Sequence, residues 1–178
     1  MIFHKFEGRF IMEIRKLTIE DLPEFIRLRS EGLKLSPEAF GESLLEYEKK
    51  SMEQHSINFP KTYDNFIMGA FDKEELVGVA GFYQKRSEKM KHKGTIWGMY
   101  VTPTYRGKGV GKKVLSHAIQ DAIKIEEILQ IELAVISSNQ SAKRLYESVG
   151  FESFGTEKRA LFVNNQFYDE DHMVKVIK

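Results

Sequence analysis

The sequence predicts an α/β (α+β) protein: one domain built on a mixed, mostly antiparallel sheet of six to seven strands, with helices on both faces. Three observations carry this. Short apolar runs recur between charged loops, stripes of apolar residues at helical spacing lie between them, and a glycine-rich turn joins a buried strand to one such stripe. At 178 residues the chain suits a single compact domain rather than two.

The elements follow in order. Residues 1–11 read as an arm with no assigned role, and the domain as residues 12–178. Met12 opens a short strand in which Ile14, Lys16 and Thr18 alternate with Glu13, Arg15 and Leu17; Thr18-Ile19-Glu20-Asp21 then forms a capping-box pattern, with Pro23 early in a helix striped by Leu22, Phe25, Ile26, Leu28 and Leu33. Ser36–Thr62 is polar and holds one further expected helix, Glu42–Gln54, read as a solvated charged face. Phe66–Phe71 and Leu76–Tyr83 read as a hairpin across Asp72-Lys73-Glu74-Glu75, and Thr95–Val101 as a buried strand that Pro103 stops. A helix starts at Val110 and keeps Val114, Leu115, Ala118, Ile119 and Ala122 on one face. Ile128–Ile136 reads as a strand, Ser141–Val149 as a short helix ended by Gly150, and Glu152–Ala160 and Tyr168–Ile177 as the last strands.

Composition narrows the chemistry. Formal net charge is +1, from 27 Lys+Arg against 26 Asp+Glu, so bulk charge gives no case for a nucleic-acid partner. Cysteine is absent, which removes disulfides, thiolate metal sites and thiol nucleophiles. The N-terminal stretch lacks the apolar core of a secretory signal, and no charge-free apolar run is long enough to span a bilayer. No membrane contact is expected, and the expected location is cytoplasmic. His117 and Asp121 stand four apart on one helix without a third ligand in view, so no metal site is expected. No Gly-x-Ser-x-Gly elbow occurs.

The informative segment is Val101-Thr102-Pro103-Thr104-Tyr105-Arg106-Gly107-Lys108-Gly109-Val110-Gly111-Lys112-Lys113. A strand ends, three alternate glycines turn the chain, and an amphipathic helix begins. Glycines let backbone N–H groups converge, and the helix N-terminus adds its positive dipole, so an anion is expected there. A Walker A loop fails on spacing, because Gly107 stands only four positions before Gly111 and Lys112 is followed by Lys113. A dinucleotide fingerprint fails because Lys112 occupies its last glycine position. What remains is Arg-x-x-Gly-x-Gly, filled by Arg106, Gly109 and Gly111.

This pattern resembles the pyrophosphate-binding motif of the GCN5-related N-acetyltransferase (GNAT) superfamily, in its bacterial-type small members. The flanking Trp97–Pro103, Leu133-Ala134-Val135 and Asn139–Phe151 resemble the family's central strand, its next strand and its following helix. The resemblance covers residues 12–178 and is strongest over 94–151. It implies a single-domain GNAT fold with a splay between the fourth and fifth strands, acetyl-CoA as cosubstrate, and N-acetyltransferase activity. It further implies that backbone groups of Met99 and Val101 hold the pantetheine arm, and that Arg106, Gly107, Lys108, Gly109, Val110, Gly111 and Lys112 wrap the pyrophosphate. Asn139 would touch the pantetheine, or serve only as a helix N-cap. Tyr146 takes the place of the acid that protonates the departing thiolate; its other reading is a packing residue beside Ala142 and Val149. An amine of pKa about 10.4 must lose a proton before attack, yet Thr95–Val101 carries no carboxylate. The base is therefore open among water, Glu42, Glu46, Asp169 and Glu170.

Three functional readings stand. The first is acetylation of a small cationic amine, toward which the acidic stretches near residues 36–64 and at Asp169 lean. The others are acetylation of protein N-termini or lysines, and a non-catalytic acyl-CoA-binding module. Family habit adds an expected homodimer.

Overall fold

The computed structural model describes residues 12–177; the expected arm, residues 1–11, lies outside the described residues. Seven strands form one sheet: β1 (Met12–Lys16), β2 (Asn65–Asp72), β3 (Glu75–Gln84), β4 (Lys93–Val101), β5 (Gln130–Ile136), β6 (Glu152–Val163) and β7 (Gln166–Val176). Their spatial order is β1-β2-β3-β4-β5-β7-β6. Every neighbouring pair is antiparallel except β4 and β5.

Two core clusters, one on each face, are organised by helices. In β2, Phe66, Met68 and Ala70 pack toward α4 (Val110–Ala122), whereas Ile67 and Phe71 pack toward α1 (Leu22–Leu35). Both faces of β2 and β3 are covered, so each strand reads as a continuous apolar run and not as an alternation. The α4 stripe is buried as its spacing predicts, with Val114, Leu115, Ala118 and Ala122 at 0% exposure. Val114 and Leu115 each contribute roughly 1.5–3 kcal/mol by leaving water, and each alanine methyl about 0.8 kcal/mol.

The expected helix over Glu42–Gln54 is two short helices, α2 (Leu44–Glu48) and α3 (Met52–Asn58). Ser43 caps α2 by accepting from Glu46 N, and Ser51 caps α3 by accepting from Gln54 N. In each case the third helical residue reaches back to the cap's own N–H. The second capping box interrupts the first helix.

The expected splay is present. β4 pairs with β5 only over Lys93↔Gln130, Gly94↔Ile131 and Thr95↔Glu132, after which β5 continues against β7 alone. Glu132 accepts from both Lys85 and Lys93 at the paired end, and these cations draw its carboxyl down to about 2 despite burial. Beyond Thr95 the two strands separate. Among the described residues no helix is long and apolar enough to cross a membrane.

Candidate active site

The strand β4 is bulged where it leaves β5. Val79 pairs with Tyr100 and Gly81 with Trp97, so Gly98 and Met99 together face one residue of β3. Gly98 takes φ +60°, a left-handed value that favours glycine. The bulge leaves Gly98 and Met99 without register partners on either neighbouring strand, so their backbone groups are available at the gap.

The glycine turn closes one end of this gap. Gly107 (φ +73°) and Gly109 (φ +79°) are left-handed, and a Cβ at either would meet no atom within 4 Å. The turn is therefore an open cradle at the N-terminus of α4. Gly111 differs: a Cβ there would come within 3.3 Å of Leu145 and Met99, which binds α4 closely to β4 and α5 (Gln140–Glu147).

A cavity of about 380 Å³ runs from the cradle along the gap. It brings together Met99, Val101, Arg106, Gly107, Gly109, Val110, Gly111, Lys112, Asn139 and Tyr146 from the sequence reading. Lys108 is the exception. Its ammonium lies 5.1 Å from the centre of the Tyr105 ring, on a separate cavity with Met12 and Lys113. Arg106 lines the cavity but folds back, its Nε donating to Val101 O at 2.8 Å and its guanidinium 5.3 Å from the Tyr100 ring centre. That bond occupies the Val101 carbonyl, a backbone group expected to face the pantetheine. Asn139 is also the N-cap of α5, accepting from Ala142 N at 3.1 Å. Both readings of that residue are compatible with its place.

Tyr146 is 8% exposed, its ring edge-on to Phe151 at 6.1 Å. Its hydroxyl has no hydrogen-bond partner among the described residues. Burial pushes the phenol up to about 12, so it is protonated at neutral pH. A second, smaller cavity of about 90 Å³ lies inside the splay and shares Met99, Asn139, Ala142 and Tyr146 with the first. Opposite Tyr146, β7 contributes Glu170, whose register partner is Ile136 at the end of β5. Burial raises the Glu170 carboxyl, partly offset by His172.

The other carboxylates considered from sequence are committed elsewhere. Glu46 closes its own capping box on Ser43. Asp169 accepts from Lys158 and from Arg159 N. Glu42 pairs with Lys50 and lines a separate pocket. Asp171 is buried under bonds from Ser137, Thr156 and Lys143, which pull it down to about 2 and tie the loop after β5 to β7. His117 hydrogen-bonds Lys113 O, and Asp121 pairs with Lys16 and Lys124, so those two side chains have other work.

The sequence reading missed a third chamber. A pocket of about 150 Å³ lies between α1, α2, α3 and Trp97, which also lines the splay. Arg29, Tyr47 and His55 come together there from separate helices. The signal was faint: Tyr47 is an aromatic inside a charged stretch.

The pattern of the Acetyltransferase (GNAT) family matches residues 30–151. A spermine/spermidine N(1)-acetyltransferase of Bacillus subtilis is 33% identical over 92 residues, 49% of this chain, and the chain spans 60% of that protein's length. A spermidine N(1)-acetyltransferase of Thermoplasma acidophilum is 28% identical over 82% of this chain and 91% of its own. Among solved structures, a GNAT-family acetyltransferase from Streptococcus pneumoniae superposes with a TM-score of 0.83 at 21% identity, covering 93% of this chain and 99% of that one. A Salmonella typhimurium chain solved with its cofactor acetyl-CoA gives a TM-score of 0.79 at 18% identity, covering 94% of each.

Proposed function

Because the chain belongs to the Acetyltransferase (GNAT) family, we propose that it moves the acetyl group of acetyl-CoA onto a primary amine by direct attack in a ternary complex. The acceptor is a small molecule whose amine is cationic in solution, in keeping with relatives named for spermine and spermidine. One observation carries this reading: a single cavity joins the open glycine cradle to Tyr146 along the bulged edge of β4.

In this account the diphosphate rests on the N–H groups of Gly107 through Lys112, where the α4 N-terminus and Lys112 supply positive charge. The backbone at Met99 and Val101, with Asn139 across the gap, flanks the pantetheine arm. The thioester then lies where β4 and β5 separate, beside Tyr146. The Glu170 carboxylate takes a proton from the ammonium, directly or through one water, and the free amine attacks the thioester carbonyl. A C–N bond forms, the C–S bond breaks, and its electron pair leaves on sulfur. Tyr146 gives its phenolic proton to the thiolate, the acylated nitrogen loses its remaining extra proton to the phenolate through solvent, and Glu170 releases the proton it took to bulk water. The products are an amide and free CoA.

The raised Glu170 carboxyl is a stronger base than an exposed one, and the phenol, held protonated by burial, always has a proton to give. The test is free-thiol release from acetyl-CoA with a panel of small amines, with product masses. Amine-dependent release of thiol and of an acetylated amine is expected. Tight acetyl-CoA binding with no thiol release for any amine would instead make the chain an acyl-CoA-binding module.

A further inference from the structure

The pocket between α1, α2 and α3 contains a half-buried cation without a bonded partner among the described residues. Arg29 makes no hydrogen bond and no ion pair among the described residues, and its Nη1 is shielded from solvent. Its one contact of note is the Phe40 ring, 4.3 Å from the guanidinium carbon. Burial lowers its proton affinity, and Glu42, the acidic side chain whose charge reaches it, is paired with Lys50 instead. Guanidinium groups do not escape this cost by deprotonating. A guanidinium with one nitrogen shut off from water and no bonded partner is a ready receiver for an anion that arrives from outside.

A second donor stands beside it. Tyr47 is 5% exposed, and its hydroxyl also has no partner. Burial pushes that phenol up to about 12, so it presents O–H and not O⁻. The Trp97 indole N–H is orphaned as well, but it presses on Gly81, where a Cβ would come within 2.6 Å, and it is left out of the donor set. The pocket's charge agrees. Arg29 and Lys50 are positive and Glu42 negative, while burial and Lys50 hold His55 below its usual value and so neutral at pH 7. One positive charge is left over.

The pocket also adjoins the chemistry. Arg29 Nη1 lies 3.4 Å from where a side chain on Gly98 would begin, at the β4 bulge, and Trp97 lines both this pocket and the splay. At about 150 Å³ it suits a compact group and not a drug-sized ligand.

We propose that the acceptor is an amine that also carries a carboxylate, an amino acid or a close relative, with the carboxylate received by Arg29 and Tyr47. This rests on the acetyl-transfer reading for its purpose but not for its test. A guanidinium matches a carboxylate with paired N–H donors, and a desolvated charge-assisted bond is among the stronger polar contacts. The same guanidinium repels a polyamine, which offers only cations. The pocket therefore discriminates by a missing or present carboxylate, not by amine length.

Matched pairs that differ only in that group make the test: lysine against cadaverine, ornithine against putrescine, leucine against 3-methylbutylamine. Trp97 is the sole tryptophan and lines the pocket, so its fluorescence reports occupancy without turnover. With CoA present, at least one carboxylated member should bind at least tenfold more tightly than its partner. Arg29→Gln should erase that ratio and Tyr47→Phe should reduce it, each with acetyl-CoA affinity unchanged as the sign of an intact fold. If no pair favours the carboxylate, or the diamines bind better, the proposal is overturned. Thiol release run on the same pairs separates the two claims. Preferential binding with no thiol release would sink acetyl transfer and keep the carboxylate site, whereas fast turnover of the bare diamines would do the reverse.

Discussion

The two halves of the active-site region are built from different materials. On the cofactor side, the cradle is backbone: Gly107 and Gly109 sit at left-handed φ with open space above them, and the first turn of α4 presents its N–H groups. On the side proposed for the acceptor, the pocket is side chain, assembled from Arg29 on α1, Tyr47 on α2, His55 on α3 and Trp97 on β4. A backbone cradle needs a fixed local pattern and recognises what a set of diphosphate ligands share. A side-chain pocket can be rebuilt residue by residue while the cradle stays. Variants in one half should therefore leave the other half's measurement alone.

The largest effect is expected where the halves meet. Tyr146→Phe keeps the ring against Phe151 and removes the proton for the thiolate; general acid catalysis is typically worth about 10²–10⁴-fold. Turnover should fall at least about tenfold, the low end allowing water to substitute, with acetyl-CoA affinity within about threefold by calorimetry. Wild-type turnover with chemistry limiting would reduce Tyr146 to a packing residue. Glu170→Gln should act on the same step from the amine's side. In the wild type, burial raises the Glu170 carboxyl, so the active carboxylate fills only as pH climbs past the usual glutamate range. The rate should therefore rise with pH along an acidic limb, and the Gln variant should lose that limb. An unchanged profile would hand the base role to water.

Gly109→Val probes the cradle alone. A Cβ there has room, so the cost comes from a β-branched residue forced to φ +79° at the turn. Acetyl-CoA should bind at least tenfold more weakly, about 1.4 kcal/mol, while Trp97 fluorescence with acceptor probes keeps its response. Unchanged acetyl-CoA affinity would remove the diphosphate from the turn.

The smallest effect concerns stability. Asp171 has its carboxyl drawn down to about 2 by Lys143, Ser137 and Thr156. A lowered carboxyl stabilises the fold above its unfolded value, near 3.9, and that contribution is lost as pH falls toward about 2. Acid unfolding of wild type should steepen in that window, and Asp171→Asn should flatten it while lowering stability at neutral pH. Superimposable acid curves would contradict the assignment.

The same contrast explains what could be read from residues alone. The α4 stripe and the glycine turn are contiguous, so local spacing reveals both the element and its anion preference. The splay was expected only through the family resemblance, because no local pattern shows where β5 leaves β4. The acidic tail could not be apportioned by sequence: strand alternation and side-chain pairing send Asp169 to Lys158, Asp171 to Lys143 and Glu170 into the gap. Glu42–Gln54 was read as one helix, although Ser43–Glu46 and Ser51–Gln54 each carry a capping box. The charged residues between them masked the break. Arg29 gave no signal and Tyr47 only a faint one, since their shared pocket exists only after α1 and α2 pack.

Direct attack across the open end of the β4–β5 gap is the central claim, and pre-steady-state thiol release tests it most directly. The protein is mixed rapidly with acetyl-CoA alone, and amine is added afterwards. No thiol should appear in the first phase, and release should begin only with the amine. One equivalent of thiol per chain before any amine is present would mean an acetylated enzyme intermediate, and would contradict attack in a ternary complex.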